Sequence, residues 1–129
     1  MRVLTLIAVA VIGSATAISA QEAPELPEGV TESMVSAGET LYRSVGLCFA
    51  CHGPTGAGVP GAGVNLADDE WLHSDGSFGA LVELILSGVG PDQTESGVIM
   101  LPRGGSQITD EQARAIAGYV WTLRAKEEA

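Results

Sequence analysis

The stretch Cys48-Phe49-Ala50-Cys51-His52 decides how the rest of the chain is read. It holds both cysteines of the 129 residues and one of the two histidines. Two thiols three positions apart can add across the two vinyl groups of one haem. The next side chain then lies under the porphyrin, where its imidazole can bind iron. C-x-x-C-H is the sequence signature of that covalent attachment. Competing uses of the same residues fit less well. A dithiol redox couple of the thioredoxin kind expects a βαβ surround, and no alternating strand pattern occurs here. A structural zinc site needs four ligands, and only His73 is left to add. A simple disulfide needs no adjacent histidine.

N-terminal to the motif, the chain opens like an export signal. Arg2 gives a positive start, Val3 to Ile12 is apolar apart from Thr5, and small residues follow from Gly13 to Ala20. A signal over residues 1–20 is expected, cleaved after Ala20, with Ala17 as second choice. The apolar part is shorter than the ~20 residues of a spanning helix, so cleavage is favoured over a retained anchor and no stable membrane insertion is expected afterwards. No cysteine follows the run, which argues against a lipid anchor. Export to the periplasm also suits the motif. A free C-x-x-C pair would tend to oxidise there, and thioether bonds to haem remove that liability.

The net charge is −10, from 6 basic and 16 acidic residues. Loss of residues 1–20 removes Arg2 and no acid, leaving about −11 on the mature chain. Nucleic acid and anionic membrane surfaces repel such a surface. A redox protein partner with a basic docking patch is compatible with it, with association that weakens in salt.

Between signal and motif, residues 21–31 are acidic, contain Pro24 and Pro27, and read as a flexible lead-in. A domain over residues 32–126 follows. From Glu32 to Val45 the residues Met34, Val35, Gly38, Leu41, Tyr42 and Val45 recur at helical spacing, and Gly46 is expected to end that helix. After the motif, residues 53–63 hold five glycines and two prolines, which no helix or strand survives. A loop whose backbone closely approaches a cofactor accounts for them. A short helical turn is expected at Asp68–Leu72. Ser77 caps a helix from Phe78 to Ser87, and residues 88–108 form a second long loop. Thr109 and Gln112 make a capping box for the last helix, on which Ile116, Val120 and Leu123 share a face. Three main helices and two long loops bury little apolar surface by themselves. A flat apolar cofactor would complete the core.

From about Ser36 to Arg124 these motifs, in this order, resemble the class I cytochromes c, small monohaem electron carriers. The resemblance implies an all-α cytochrome c fold wrapped around one covalent haem c with its iron. Gly38 and Tyr42, with Ile116 and Tyr119, are similar to the family's crossing of first and last helices. Met100-Leu101-Pro102-Arg103-Gly104-Gly105 is similar to the loop whose methionine gives its thioether to iron, with Leu101 where a second proline is common. Val64-Asn65-Leu66 stands where the family has Pro-Asn-Leu, which implies that the Val64 carbonyl accepts a hydrogen bond from His52 and that Leu66 packs on the haem edge. Trp71 resembles the aromatic near the propionates in relatives of oxidase cytochrome subunits, although a plain core tryptophan fits it equally. His73 is the rival iron ligand, otherwise a surface loop histidine.

The resemblance therefore implies thioethers at Cys48 and Cys51, iron ligation by His52 and Met100, and haem contacts from Val64, Leu66 and Trp71. The expected activity is single-electron transfer between redox proteins, with no catalysis on a bound substrate. Alternatives are a cytochrome subunit of a periplasmic dehydrogenase complex, a gas-binding or peroxidatic haem protein with an open sixth site, and a haem-free exported dithiol domain.

Overall fold

The computed structural model describes residues 25–94 and 97–127, with side chains as far as Arg124. The expected signal over residues 1–20 lies outside the described residues. Among those described, the regular structure is helical, joined by two isolated β-bridges, Val59 with Gly63 and Val89 with Met100. Four α-helices follow in order: α1 Glu32–Tyr42, α2 Cys48–His52, α3 Phe78–Ser87 and α4 Asp110–Glu127. Short 3₁₀ turns cover Pro91–Gln93 and Pro102–Gly105.

Side-chain caps set three of the helix starts. Thr31 accepts from the Met34 amide at 3.2 Å, and Ser77 from the Ala80 amide at 3.3 Å. Thr109 and Gln112 bond each other's amides at 3.2 and 2.9 Å, the reciprocal box read from the sequence. The first helix is shorter than its apolar pattern suggests. Arg43 is its C-cap, a turn follows over 43–46, and Val45 is 59% exposed instead of continuing the buried face. The expected lead-in over 21–31 also tightens earlier than predicted. The Val30 amide donates to Pro27 O at 3.0 Å, and Val30 is buried against the Gly118 face of α4. At Asp68–Leu72 there are bends in place of the expected helical turn. Asn65 and Asp68 take the amides of Ala67 and Glu70 on their side chains, at 2.8 and 3.1 Å. Such local bonds compete with helix.

The frame is the crossing of α1 and α4. At Gly38 a Cβ would overlap the Ala115 carbonyl, so only glycine permits the approach. Beside it the rings of Tyr42 and Tyr119 meet edge to face, centroids 5.2 Å apart and planes at 66°, worth about 0.5–1.5 kcal/mol beyond burial. Leu81, Val82 and Ile85 of α3 join Ile116, Val120 and Leu123 of α4 in one core. No described helix is long and apolar enough to cross a membrane.

Candidate haem site

A cavity of about 360 Å³ lies between α2, the 62–66 segment, the 71–74 loop, α3, the Met100 loop and α4. Its wall includes Cys48, Cys51, His52, Val64, Leu66, Trp71 and Met100, so all seven residues singled out in the sequence meet at one place. His73 lines it too.

The motif forms a helix of its own, which the glycine-rich surround concealed in the sequence. Leu47 enters it in the left-handed region at φ 58°, and Gly53 leaves it at φ 76°. The 53–63 loop then folds back on this helix. Gly58 N–H donates to His52 O at 2.8 Å, and a Cβ on Gly63 would stand 2.5 Å from the Cys51 carbonyl oxygen. The close approach expected of these glycines is thus partly to the backbone of the motif helix itself. Cys48 is half-buried and Cys51 exposed. Burial pushes the Cys48 thiol up to about 11, so the pocket favours an uncharged sulfur there, as a thioether is.

His52 Nδ1 lies 2.9 Å from Val64 O. A carbonyl only accepts, so Nδ1 carries the proton and Nε2 keeps a free lone pair. Burial lowers the His52 pKa, opposed by the bond to Val64, and a neutral imidazole is the form that binds a metal. Leu66 is fixed by its amide, which donates to Gly56 O at 2.7 Å, and packs on the core cluster.

Met100 is held from two directions. Val89 and Met100 exchange amide–carbonyl bonds of 2.8 and 3.0 Å. Arg103, at φ 56°, then reaches the chain entering α4: Nη1 donates to Ile108 O at 2.9 Å and Nη2 to Asp110 Oδ1 at 2.6 Å. These bonds fasten the loop despite Leu101 in the place of a second proline. Arg103 was legible only as the basic residue of a familiar loop, and nothing in its spacing announced an anchor.

Trp71 Nε1 is buried without a hydrogen-bond partner among the described residues. That nitrogen lies against the Gly76 backbone, where a Cβ would overlap the indole, so it does not face the cavity. The wall is mainly apolar and carries two thiols, one thioether and an imidazole with a free nitrogen. That set fits a haem: an apolar macrocycle, two vinyl groups and an iron.

The family model for cytochrome c oxidase, cbb3-type, subunit III matches residues 33–120. The chain belongs to that family. It is a monohaem class I c-type cytochrome, with the all-α cytochrome c fold and covalent haem c as cofactor, and Cys48-x-x-Cys51-His52 fits that attachment. It is 36% identical over 78 residues to the cbb3-type cytochrome c oxidase subunit CcoP of Rubrivivax gelatinosus, a match covering 60% of this chain. The chain accounts for only 23% of that relative's length. Among solved structures, cytochrome cL of the marine methylotroph Methylophaga aminisulfidivorans superposes with a TM-score of 0.54 at 22% identity, covering 70% of this chain and 53% of that one. This likeness shows the fold.

Proposed function

We propose that this cytochrome is a periplasmic one-electron carrier, with haem c bonded to Cys48 and Cys51 and iron held by His52 and Met100. The observation that supports it most is the convergence of a Val64-oriented imidazole and a doubly fastened methionine on one apolar cavity beside both cysteines. When bound, haem c supplies reversible ferrous–ferric exchange. The protein's part would be to supply His52 and Met100 as ligands of the iron, leaving no place for a substrate, and to hold both side chains still. His52 keeps its orientation through Val64, and Met100 supplies a soft sulfur that favours the reduced metal. Leu66 packs on the ring edge, with Trp71 on the same wall. On this reading the chain is not an enzyme. Its acidic surface meets a basic patch on its redox partners, and residues 1–20 are the export signal that brings it to the periplasm.

The near-infrared spectrum of the oxidised protein tests the site. A weak sulfur-to-iron charge-transfer band is expected and should vanish in Met100→Ala. A band that survives the substitution would show that Met100 is not the ligand. Carbon monoxide binding to the reduced wild type would point instead to an open sixth site.

The CcoP relative is a subunit of an oxidase, which supports a second reading: a cytochrome module seated permanently in a larger redox complex. Co-purification of a large partner at high salt separates it from a free carrier.

A further inference from the structure

The loop after the motif holds five glycines, and what surrounds each of them differs. A Cβ at Gly61 would meet open space, and one at Gly53 would come no closer than 3.4 Å to any atom, an ordinary contact. At Gly56 the nearest atom is Leu123 Cδ1, the tip of a side chain. At Gly63 it is the Cys51 carbonyl oxygen. Gly58 differs from all four. A Cβ there would stand 2.9 Å from the Val64 carbonyl carbon and 2.9 Å from the Asn65 amide nitrogen, the two atoms of one peptide bond. Gly63 O would be equally near.

That peptide is the one whose oxygen lies 2.9 Å from His52 Nδ1. Gly58 is also tied to the same histidine, since its amide donates to His52 O at 2.8 Å. One residue without a side chain thus links the main chain of His52 to the peptide that orients its ring. Every atom that a Cβ at 58 would crowd is backbone, which cannot turn aside as a side chain does. The crowded segment is itself pinned. Val59 N–H donates to Gly63 O at 3.0 Å, and Leu66 N–H to Gly56 O at 2.7 Å. A methyl group at 58 therefore has to shift the Val64–Asn65 peptide.

We propose that Gly58 is a positioning residue for the axial imidazole, setting the His52–Val64 hydrogen bond and through it the redox potential. This role rests on the iron ligation by His52 proposed above. A hydrogen bond from Nδ1–H makes the imidazole a stronger donor to the metal, and partners of this kind tune a bound metal. A stronger donor favours ferric iron. A weakened bond to Val64 therefore raises the midpoint potential.

Gly58→Ala and Gly61→Ala, compared as holoproteins, test this. Both place alanine at a left-handed position, φ 82° and 76°, so both carry that strain. Only the first meets backbone. The His52 Nδ1 proton of the ferrous protein is read by NMR, together with the midpoint potential. Gly58→Ala is expected to move that proton upfield, as a weakened hydrogen bond does, and to raise the potential. Gly61→Ala should lose stability in denaturant yet keep both wild-type values. Equal values in all three proteins overturn the proposal, as do equal shifts in the two variants, which would make loop strain the cause. Should Gly58→Ala fail to fold or to take up haem, deuterium exchange in the wild type decides. The Gly58 amide and His52 Nδ1–H should be comparably protected, since one local unit holds both, and a freely exchanging Gly58 amide overturns the proposal. The carbon-bound ring protons of His52, read on the same sample, lie far upfield under the porphyrin if His52 is the ligand. Ordinary positions in the wild type would defeat that assignment and the role of Gly58 with it. Upfield ring protons beside an unmoved Nδ1 proton in Gly58→Ala would defeat the role of Gly58 alone.

Discussion

Tyr42 joins the two halves of the molecule through one hydroxyl. Its ring is fully buried against Tyr119, and its hydroxyl donates to the carbonyl of Gly53, the residue that ends the motif helix. Burial raises the phenol above its ordinary value of 10, aided by Cys48 and Tyr119 and opposed by Arg43. The fold therefore favours protonated Tyr42. That contribution is fully present below the unfolded value of about 10 and is lost as pH rises above it. Tyr42→Phe should destabilise the holoprotein at pH 7 by about 1–2 kcal/mol, since it strands the Gly53 carbonyl. The gap between wild type and variant should narrow above about pH 10. Denaturant melts at neutral and alkaline pH check this, and a constant gap would show that the phenol is not held protonated by the fold. Residue roles of this kind were partly legible. The family resemblance implied a helix crossing at Tyr42, but the Gly53 bond depends on where the motif helix ends, which spacing does not reveal.

At the scale of elements, legibility followed the source of each signal. The Ser77 and Thr109 caps are local chemistry, and both formed as read. The end of α1 was misplaced because Val45 continues the apolar period while the backbone has already turned toward a left-handed Leu47. That conformation is imposed by the tertiary position of the motif, since a leucine there costs about 1–2 kcal/mol. Likewise a helical turn was expected at Asp68–Leu72, and the neighbouring Asn65 and Asp68 side chains diverted the amides that a helix would use. The least visible element is the fastening of the Met100 loop. Arg103→Ala removes both bonds to the start of α4. The Asp110 partner is well exposed, so the global loss should be modest, about 1 kcal/mol. The sharper effect is local: if Met100 ligates iron as proposed, exogenous imidazole should displace it from the ferric protein several-fold faster than in wild type, as followed by stopped-flow absorbance. Unchanged displacement would mean that the Val89 pairing alone fixes the loop.

For the whole molecule, the charge of −10 dominates encounters. Electron transfer with a basic partner protein should slow by about tenfold or more as ionic strength rises from low to high, because exposed charges are screened. Stopped-flow rates across a salt series measure this, and a flat series would place docking on apolar contacts. The fold class itself was readable from helix periods and glycine loops together with a motif that requires a ligand. Where the ligand's neighbours stand was readable only by resemblance, because loops carry no period from which to infer contacts.

Gly38 and Ala115 meet from opposite ends of the domain, and that gives the molecule a timetable. A chain delivered N-terminus first presents Cys48–His52 early, while α4, which supplies the far side of the crossing and part of the cavity wall, arrives last. Contacts so distant in sequence are also the slowest to close. The interval before α4 arrives is a window in which both sulfurs stand open to modification. Closure of the last helix then completes the cavity wall, with Cys51 still exposed in the folded chain.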